Sequence, residues 1–407
     1  MIVLGDAEVM RQILNDKSVS KPYRMYKGFE RIHDGGTNMF ASNGERWFHS
    51  RKAILPAFSP NHICRMTEVT VEKTKEFIAQ LDAKEGKSFD VGKEMINSTL
   101  KIICDAAFEY DMPASEQAEF LHELDLVIKE NRNGLIPFRW RFGRFIPAVR
   151  RSWDASKRLF ALGERILASY RKLEDPTEGT VIDRIVNNPN YKDDKERIAD
   201  LIILLVAGHD TTAYSLAWTF LELAKNPAEQ DALRTELLAT PAEERLNSKA
   251  LSNVIKESMR LNPVAALGGV RTSSKDIIVN TSNGDSKGST FLIPKGSLMF
   301  LALHVVLHNP QYFKDPDEFQ PSRWEFPSKE ATSAYMPFIV GPRACLGQSL
   351  AYAEMRSVLS RLVADYEFTV EDEGTSTFCM TYKPINCMLV AKKLWRRFYI
   401  FMKPRYT

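Results

Sequence analysis

The strongest constraint on this chain is a helical pattern from residue 193 to residue 225, opened by Asp193-Asp194 and closed by Asn226-Pro227. Apolar side chains recur along it at Leu201, Leu204, Leu205 and Trp218. About 33 residues at a rise of 1.5 Å give a rod near 50 Å, long enough to cross the full width of a domain. In its middle sits Ala207-Gly208-His209-Asp210-Thr211-Thr212. A glycine and two threonines are unfavourable inside a helix, so a local reason such as a groove or a bulge is expected there. His209 in this stretch reads as a structural hydrogen-bonder.

With 407 residues the chain can bury a large core, and 44% apolar with 26% charged residues is the balance of an ordinary globular protein. A net charge of +3 is too small to point to nucleic acid. Cys64, Cys104, Cys345, Cys379 and Cys387 lie far apart, which indicates neither a disulfide framework nor a zinc site and suits a reducing compartment. No run of eighteen apolar residues is present, so no transmembrane segment is read from the chain as given.

Before the rod, Asp6 caps a short amphipathic helix through Val9, Met10, Ile13 and Leu14, and residues 17–43 read as a long polar connection. In it Met39 and Phe40 read equally as pocket contacts and as loop anchors. Helical patterns follow at 60–81, 91–108, 114–130 and 147–173. The stretch 134–146, with Phe138, Trp140, Phe142 and Phe145 among Arg139, Arg141 and Arg144, reads as a nucleic-acid patch, as a membrane contact, or as packed aromatics with solvated arginines. Beyond the rod come helices at 227–238 and 248–261, a hairpin of 277–279 with 291–293 around Asn283-Gly284, and a strand at 297–303. Two more strands, 367–370 and 386–390, flank a loop at 375–380, and the basic aromatic segment 394–407 stands apart as a tail.

The chemistry concentrates in Pro337-Phe338-Ile339-Val340-Gly341-Pro342-Arg343-Ala344-Cys345-Leu346-Gly347, which runs into a helical pattern at Gln348. Amides at a helix N-terminus lower a thiol's pKa, so Cys345 is a candidate thiolate ligand, and the glycines allow close approach of a flat cofactor. A second pattern pairs Trp47 with Arg51 at i,i+4, on one face of a helix, as a stacked pair or as an anion contact.

These segments resemble the cytochrome P450 family. Phe338, Gly341, Arg343, Cys345 and Gly347 fill the five fixed places of its haem loop, Phe-x-x-Gly-x-Arg-x-Cys-x-Gly. Trp47 and Arg51 fit its Trp-x-x-x-Arg motif, 207–212 its oxygen-binding motif, and Glu257 with Arg260 its Glu-x-x-Arg pair. The resemblance implies a mainly α fold with a smaller β portion (α+β), built around a buried haem b. One catalytic domain would span 1–393, N-terminally incomplete because Met1 to Met10 reads like the approach to an early helix of the family.

By the same resemblance Cys345 ligates the iron, Phe338 shields the proximal face, and Trp47, Arg51, Arg343 and Arg271 contact the haem carboxylates. Ala207 and Gly208 would leave room for dioxygen, while Asp210 and Thr211 relay protons to it. Glu257, Arg260 and Arg323 would form a structural ionic cluster. The activity implied is oxygen insertion into an apolar lipid, sterol, terpenoid or xenobiotic, beside a pocket bordered by Ala265, Ala266 and Leu267. Its electrons would come from NADPH through a flavoprotein reductase on the cytosolic face of the endoplasmic reticulum membrane. Arg46, Arg51, Lys52 and Arg343 are the expected docking face for that partner. Two rivals stand beside this reading: an oxygen-independent haem-thiolate isomerase or dehydratase, and a non-catalytic haem-binding fragment.

Overall fold

The structure, a computed structural model, describes residues 1–34, 36–133, 136, 138–281 and 288–394. Its first half runs β1 (Ile2–Leu4), α1 (Ala7–Asn15), β2 (Val19–Ser20), α2 (Tyr23–Glu30), α3 (Gly44–Ile54), α4 (Pro60–Ala83), β3 (Phe89–Asp90), α5 (Val91–Phe108), α6 (Ala114–Arg132), α7 (Pro147–Tyr170), α8 (Val181–Val186) and α9 (Asp194–Lys225). Then follow α10 (Pro227–Ala239), α11 (Lys249–Leu261), β4 (Val270–Ser273), β5 (Ile277–Asn280), β6 (Thr290–Ile293), β7 (Met299–Leu301), α12 (Leu303–Leu307), α13 (Lys329–Ala334) and α14 (Gln348–Asp365). The chain closes with β8 (Tyr366–Asp372), β9 (Thr375–Cys379), β10 (Thr381–Ile385) and β11 (Met388–Lys393). The Asn283-Gly284 turn and all of the tail except Leu394 fall outside the described residues.

Helix α9 is the axis of the fold. Asp193 caps it by accepting from the Glu196 amide at 2.9 Å, and Pro227 follows its C-cap, Asn226. Its N-terminal half buries Leu201, Ile202, Ile203, Leu205 and Val206 in one core with α5, α6 and α7. Its C-terminal half buries Leu216, Phe220, Leu221 and Leu223 in a second core with α11, α14 and β8. Each such side chain is worth about 1.5–3 kcal/mol of burial, so one helix ties the two cores together. By length and composition α9 could also cross a membrane, but 72% of its most apolar window is buried inside the fold. A search for unbroken apolar runs misses it because Asp200, His209 and Asp210 interrupt the pattern.

The expected bulge is absent: α9 is regular α-helix from Asp194 to Lys225. Gly208 has a packing reason instead. A Cβ there would lie 2.9 Å from Ile103 Cγ1 and Cδ1 of α5, so the missing side chain lets the two helices close on each other.

The sheets are small. The largest has the order β1-β7-β4-β2, with β1 parallel to β7 (Ile2 opposite Met299, Leu4 opposite Leu301) and the other pairs antiparallel. It covers a third core made by Met10, Ile13, Leu301 and Leu303. Strands β3, β11 and β8 make another sheet, β5 and β6 the expected hairpin. Three segments differ from the sequence expectation. The connection 17–43 contains β2 and α2, and the strand foreseen at 297–303 shortens to β7 before α12. The loop foreseen at 375–380 is a β9–β10 hairpin that turns at Met380, whose φ is 70°.

Candidate functional site

Cys345 lies just before α14, and its amide donates to the Phe338 carbonyl at 3.0 Å, which folds the loop back on itself. Phe338 packs its ring on Tyr352 of α14, 5.2 Å between centroids. Gly341 makes this fold-back possible: its φ is 80°, and a Cβ would stand 2.6 Å from the Leu14 carbonyl oxygen. At Gly347 the backbone is unstrained and the nearest atom to a built Cβ is Phe58 Cε1 at 3.9 Å, so this glycine leaves open space beside the thiol.

The thiol itself departs from expectation. Burial pushes its pKa up, and this outweighs the Gly347 amide and the Arg51 charge, which pull it down. Enclosure by surrounding chain removes the water that would solvate a thiolate. Yet the residue retains accessible surface; the two observations agree if the sulfur faces an internal space. A coordinated metal ion is what would deprotonate such a thiol.

Helix α9 has an opening of its own. Between Ile198 and Ala224 every residue is buried or half-buried except Ala207 and Thr211, one turn apart on one face. The Thr211 hydroxyl donates to the Ala207 carbonyl at 2.9 Å. Asp210 points elsewhere: its Oδ2 accepts from Thr381 Oγ1 of β10 at 2.8 Å. The acid and the alcohol are thus neighbours in sequence whose side chains diverge. Gly208 faces Ile103, so the room foreseen at Ala207 and Gly208 lies at Ala207 alone. His209 hydrogen-bonds the Leu205 carbonyl at 2.9 Å and sets its ring against Phe120, where burial lowers its pKa.

A second link joins the two halves. Glu354 of α14, 1% exposed, bonds to Thr212 of α9, and burial raises its pKa to about 8. Its Oε2 has no partner among the described residues.

One wall of the site is cationic. The Arg343 guanidinium lies 3.8 Å from the centroid of the Trp47 ring and donates to Ser42 O and Asn43 Oδ1. Arg271, 2% exposed, donates to Tyr26 Oη and Val270 O. Arg51 is half-buried, and its charge reaches Cys345. Burial, then the charges of Arg271 and Arg51, push Arg343 down to about 10. Lys21, which the sequence reading passed over, is a fourth cation in this group, 8% exposed. No Asp or Glu stabilises the charges of Lys21, Arg51 or Arg343 among the described residues. Buried cations without counter-ions are costly, so this wall fits a ligand that brings its own negative charges. An accessible thiol, an opening in a buried helix and an uncompensated cationic wall fit the iron, the face and the two carboxylates of a haem.

The same geometry removes the expected docking face. Arg46 pairs with buried Asp200 at 3.0 Å and also bonds Ser50, while Arg51 and Arg343 turn inward. Only Lys52 of the four stays on the surface. Met39 is buried and its amide donates to Asp200, whereas Phe40 is 39% exposed beneath the Lys21 ammonium.

Behind the loop, Glu257 accepts both Arg260 Nε and Nη2 at 3.0 Å and Arg323 Nε at 2.7 Å. Trp324 Nε1 and the Gln320 amide complete its shell, a contribution the sequence reading did not foresee. Arg260, 0% exposed, spends its other donors on the carbonyls of Leu307, Pro316 and Glu318. Arg323 donates to the Lys314 and Asp315 carbonyls. A solvent-open cavity of about 300 Å³ between α4, α5 and α6 is unrelated to this site, and its Lys73 and Lys101 are already paired with acids.

Comparison with known proteins decides the family. The family model described as "Cytochrome P450" matches residues 1–393. This chain is a cytochrome P450. Its relatives include cytokinin hydroxylase of Arabidopsis thaliana, 27% identical over 386 residues, covering 88% of this chain and 72% of that protein. Another is the mitochondrial sterol 26-hydroxylase of Rattus norvegicus, 27% identical over 401 residues, with coverages of 88% and 72%. Among solved structures, the heme domain of cytochrome P450DA superposes with a TM-score of 0.81 at 20% identity, covering 96% of this chain and 87% of that one. That likeness concerns the fold, which is the α+β arrangement of P450 heme domains. As an enzyme this P450 is a monooxygenase, and the family implies a haem, dioxygen and an electron donor.

Proposed function

We propose that this P450 hydroxylates or epoxidises an apolar small molecule of the lipid, sterol, terpenoid or xenobiotic class, and that residues 1–393 act as one catalytic unit. The observation that carries the reading is the paired opening at Ala207 and Thr211 in an otherwise buried helix, joined through Thr212 and Glu354 to the helix that follows Cys345.

Cys345 would hold the iron, and Trp47, Arg51, Arg271 and Arg343 the carboxylates, with Phe338 packed behind the thiolate loop. Bound haem b supplies the redox iron at which dioxygen is split, with thiolate ligation favouring O–O cleavage. The chain supplies the rest. Thr211 Oγ parks its proton on the Ala207 carbonyl, and rotation of that hydroxyl presents the proton to the site. Asp210, held by Thr381 on the other side of the helix, would return that proton only after its carboxyl takes one up, leaves Thr381 and turns toward Thr211. Ala207, with Ala265, Ala266 and Leu267 placed there by the family resemblance, would give an apolar border that limits water and suits a hydrocarbon substrate.

Electrons would come from NADPH by way of a flavoprotein reductase. Contact with a membrane surface is supported by Phe138, Phe142 and Phe145, which are 67%, 52% and 69% exposed beside Arg141 and Arg144, and the endoplasmic reticulum is the membrane that the family resemblance implies. The test is the spectrum of the reduced protein under carbon monoxide, followed by a lipid and xenobiotic panel scored for spin-state change. A strongly red-shifted Soret band supports the thiolate site. No haem uptake, or turnover that needs neither oxygen nor reductant, refutes the reading.

A further inference from the structure

The acid of α9 is held by a piece of chain that is itself lightly held. Among the described residues β9 and β10 pair with each other and with no third strand, and Cys379 stands opposite Thr381, which leaves Met380 alone at the turn. A two-stranded ribbon has little stability of its own, and Met380 takes a φ of 70°, which strains an L side chain. The ribbon is fixed firmly at Tyr382. The Tyr382 amide donates to the Val264 carbonyl at 2.8 Å, Trp218 Nε1 donates to the Tyr382 carbonyl at 3.2 Å, and the two rings stack with centroids 4.9 Å apart. The tip beyond it is seated by Thr381 Oγ1 on Asp210 Oδ2 and by Met380, which packs against the core around the N-terminal half of α9.

Thr381 and Asp210 are 6% and 8% exposed, so the bond between them is shielded from water while the tip is down. We infer that Thr381 is a positioning residue for proton delivery in this P450: the seated β9–β10 tip keeps Asp210 away from Thr211, and an apolar molecule that takes the place of Met380 lifts the tip and frees the carboxylate. The inference rests on the haem and proton reading proposed above. The freed carboxylate takes a proton from water, passes it to Thr211 Oγ as that hydroxyl gives its own to the site, and is left ionised to be held again. Proton supply then follows occupation of the pocket, and an empty site receives few protons.

The half-buried Cys379 beside the turn reports the tip. Its alkylation by iodoacetamide in the holoprotein is read by peptide mass spectrometry. Loss of one hydrogen bond in Thr381→Val should speed alkylation about fivefold, and Thr381→Ser should restore the wild-type rate. Saturating 1-dodecylimidazole, an apolar chain on an iron-binding azole, should speed it in wild type. Proton supply is read separately: holoprotein reduced with dithionite is mixed with oxygenated buffer, and the return of the oxidised spectrum is timed as dioxygen leaves with one electron and one proton. Thr381→Val should return about fivefold faster than wild type, and more slowly in heavy water than in light. Adding Asp210→Asn to Thr381→Val should bring the rate back to the wild-type value or below. Equal alkylation of wild type and Thr381→Val, no response to the azole, or a fast return that survives Asp210→Asn overturns the inference. Holoprotein without a red-shifted Soret band under carbon monoxide overturns the site reading itself, a different result from a thiolate site whose tip does not move.

Discussion

Glu354→Gln should flatten the pH dependence of stability. The carboxyl is 1% exposed, Thr212 is its one hydrogen-bonding partner among the described residues, and burial raises its pKa from 4.5 to about 8. A carboxyl whose folded-state pKa lies above its unfolded one binds its proton more tightly when folded. Its stabilising contribution is therefore complete below pH 4.5 and is lost as pH climbs through about 8. The gap between those values, at about 1.4 kcal/mol per unit, amounts to roughly 5 kcal/mol of stability lost across that range. Glutamine fills the same volume, never ionises and keeps a carbonyl for Thr212, so the variant should lack this slope. Urea unfolding of both proteins at intervals from pH 5 to 8.5 measures the difference directly, and other titrating groups cancel in the comparison. The variant should gain several kcal/mol relative to wild type as pH rises. A difference that stays constant across the range would refute the argument, because it would mean Glu354 is charged, or solvated, in the folded protein.

Other expectations follow from single contacts. Glu257→Gln leaves Arg260 and Arg323 short of a counter-charge in the interior and should destabilise by about 3 to 5 kcal/mol, read from the urea midpoint. Gly341→Ala meets both a positive φ and the Leu14 carbonyl, a cost of about 1–3 kcal/mol, whereas Gly347→Ala should leave the unfolding midpoint in place while reducing haem content. An unchanged midpoint in the first, or a large shift in the second, contradicts the assignment of strain to Gly341. Thr381→Val removes the hydroxyl that holds Asp210, so product formed per reducing equivalent should fall while stability changes by about 1 kcal/mol. Unaltered coupling would show that Asp210 needs no anchor.

Local chemistry explains why so much was legible beforehand. Asp193 and Pro227 bracket α9 because a side-chain cap and a missing amide act within one turn, and the Glu257–Arg260 pair is readable because i,i+3 residues share a face. The loop from Phe338 to Cys345 was legible as one local unit for the same reason: it closes on itself, from the Phe338 carbonyl to the Cys345 amide. The reason for Gly208 could not be read this way, since it depends on Ile103 of another helix.

By itself, then, the sequence determined the helical rod, its ends, the thiol and the paired charges, all of which depend on neighbours within a turn or a short loop. Tertiary structure alone decided that Thr381 holds Asp210, that Trp324 completes the Glu257 shell, that Arg46 is spent on Asp200, and that Lys21 joins three arginines. The physical reason is that burial and Coulomb interaction act through space: whether a charge is free, paired or neutralised depends on which distant segments enclose it.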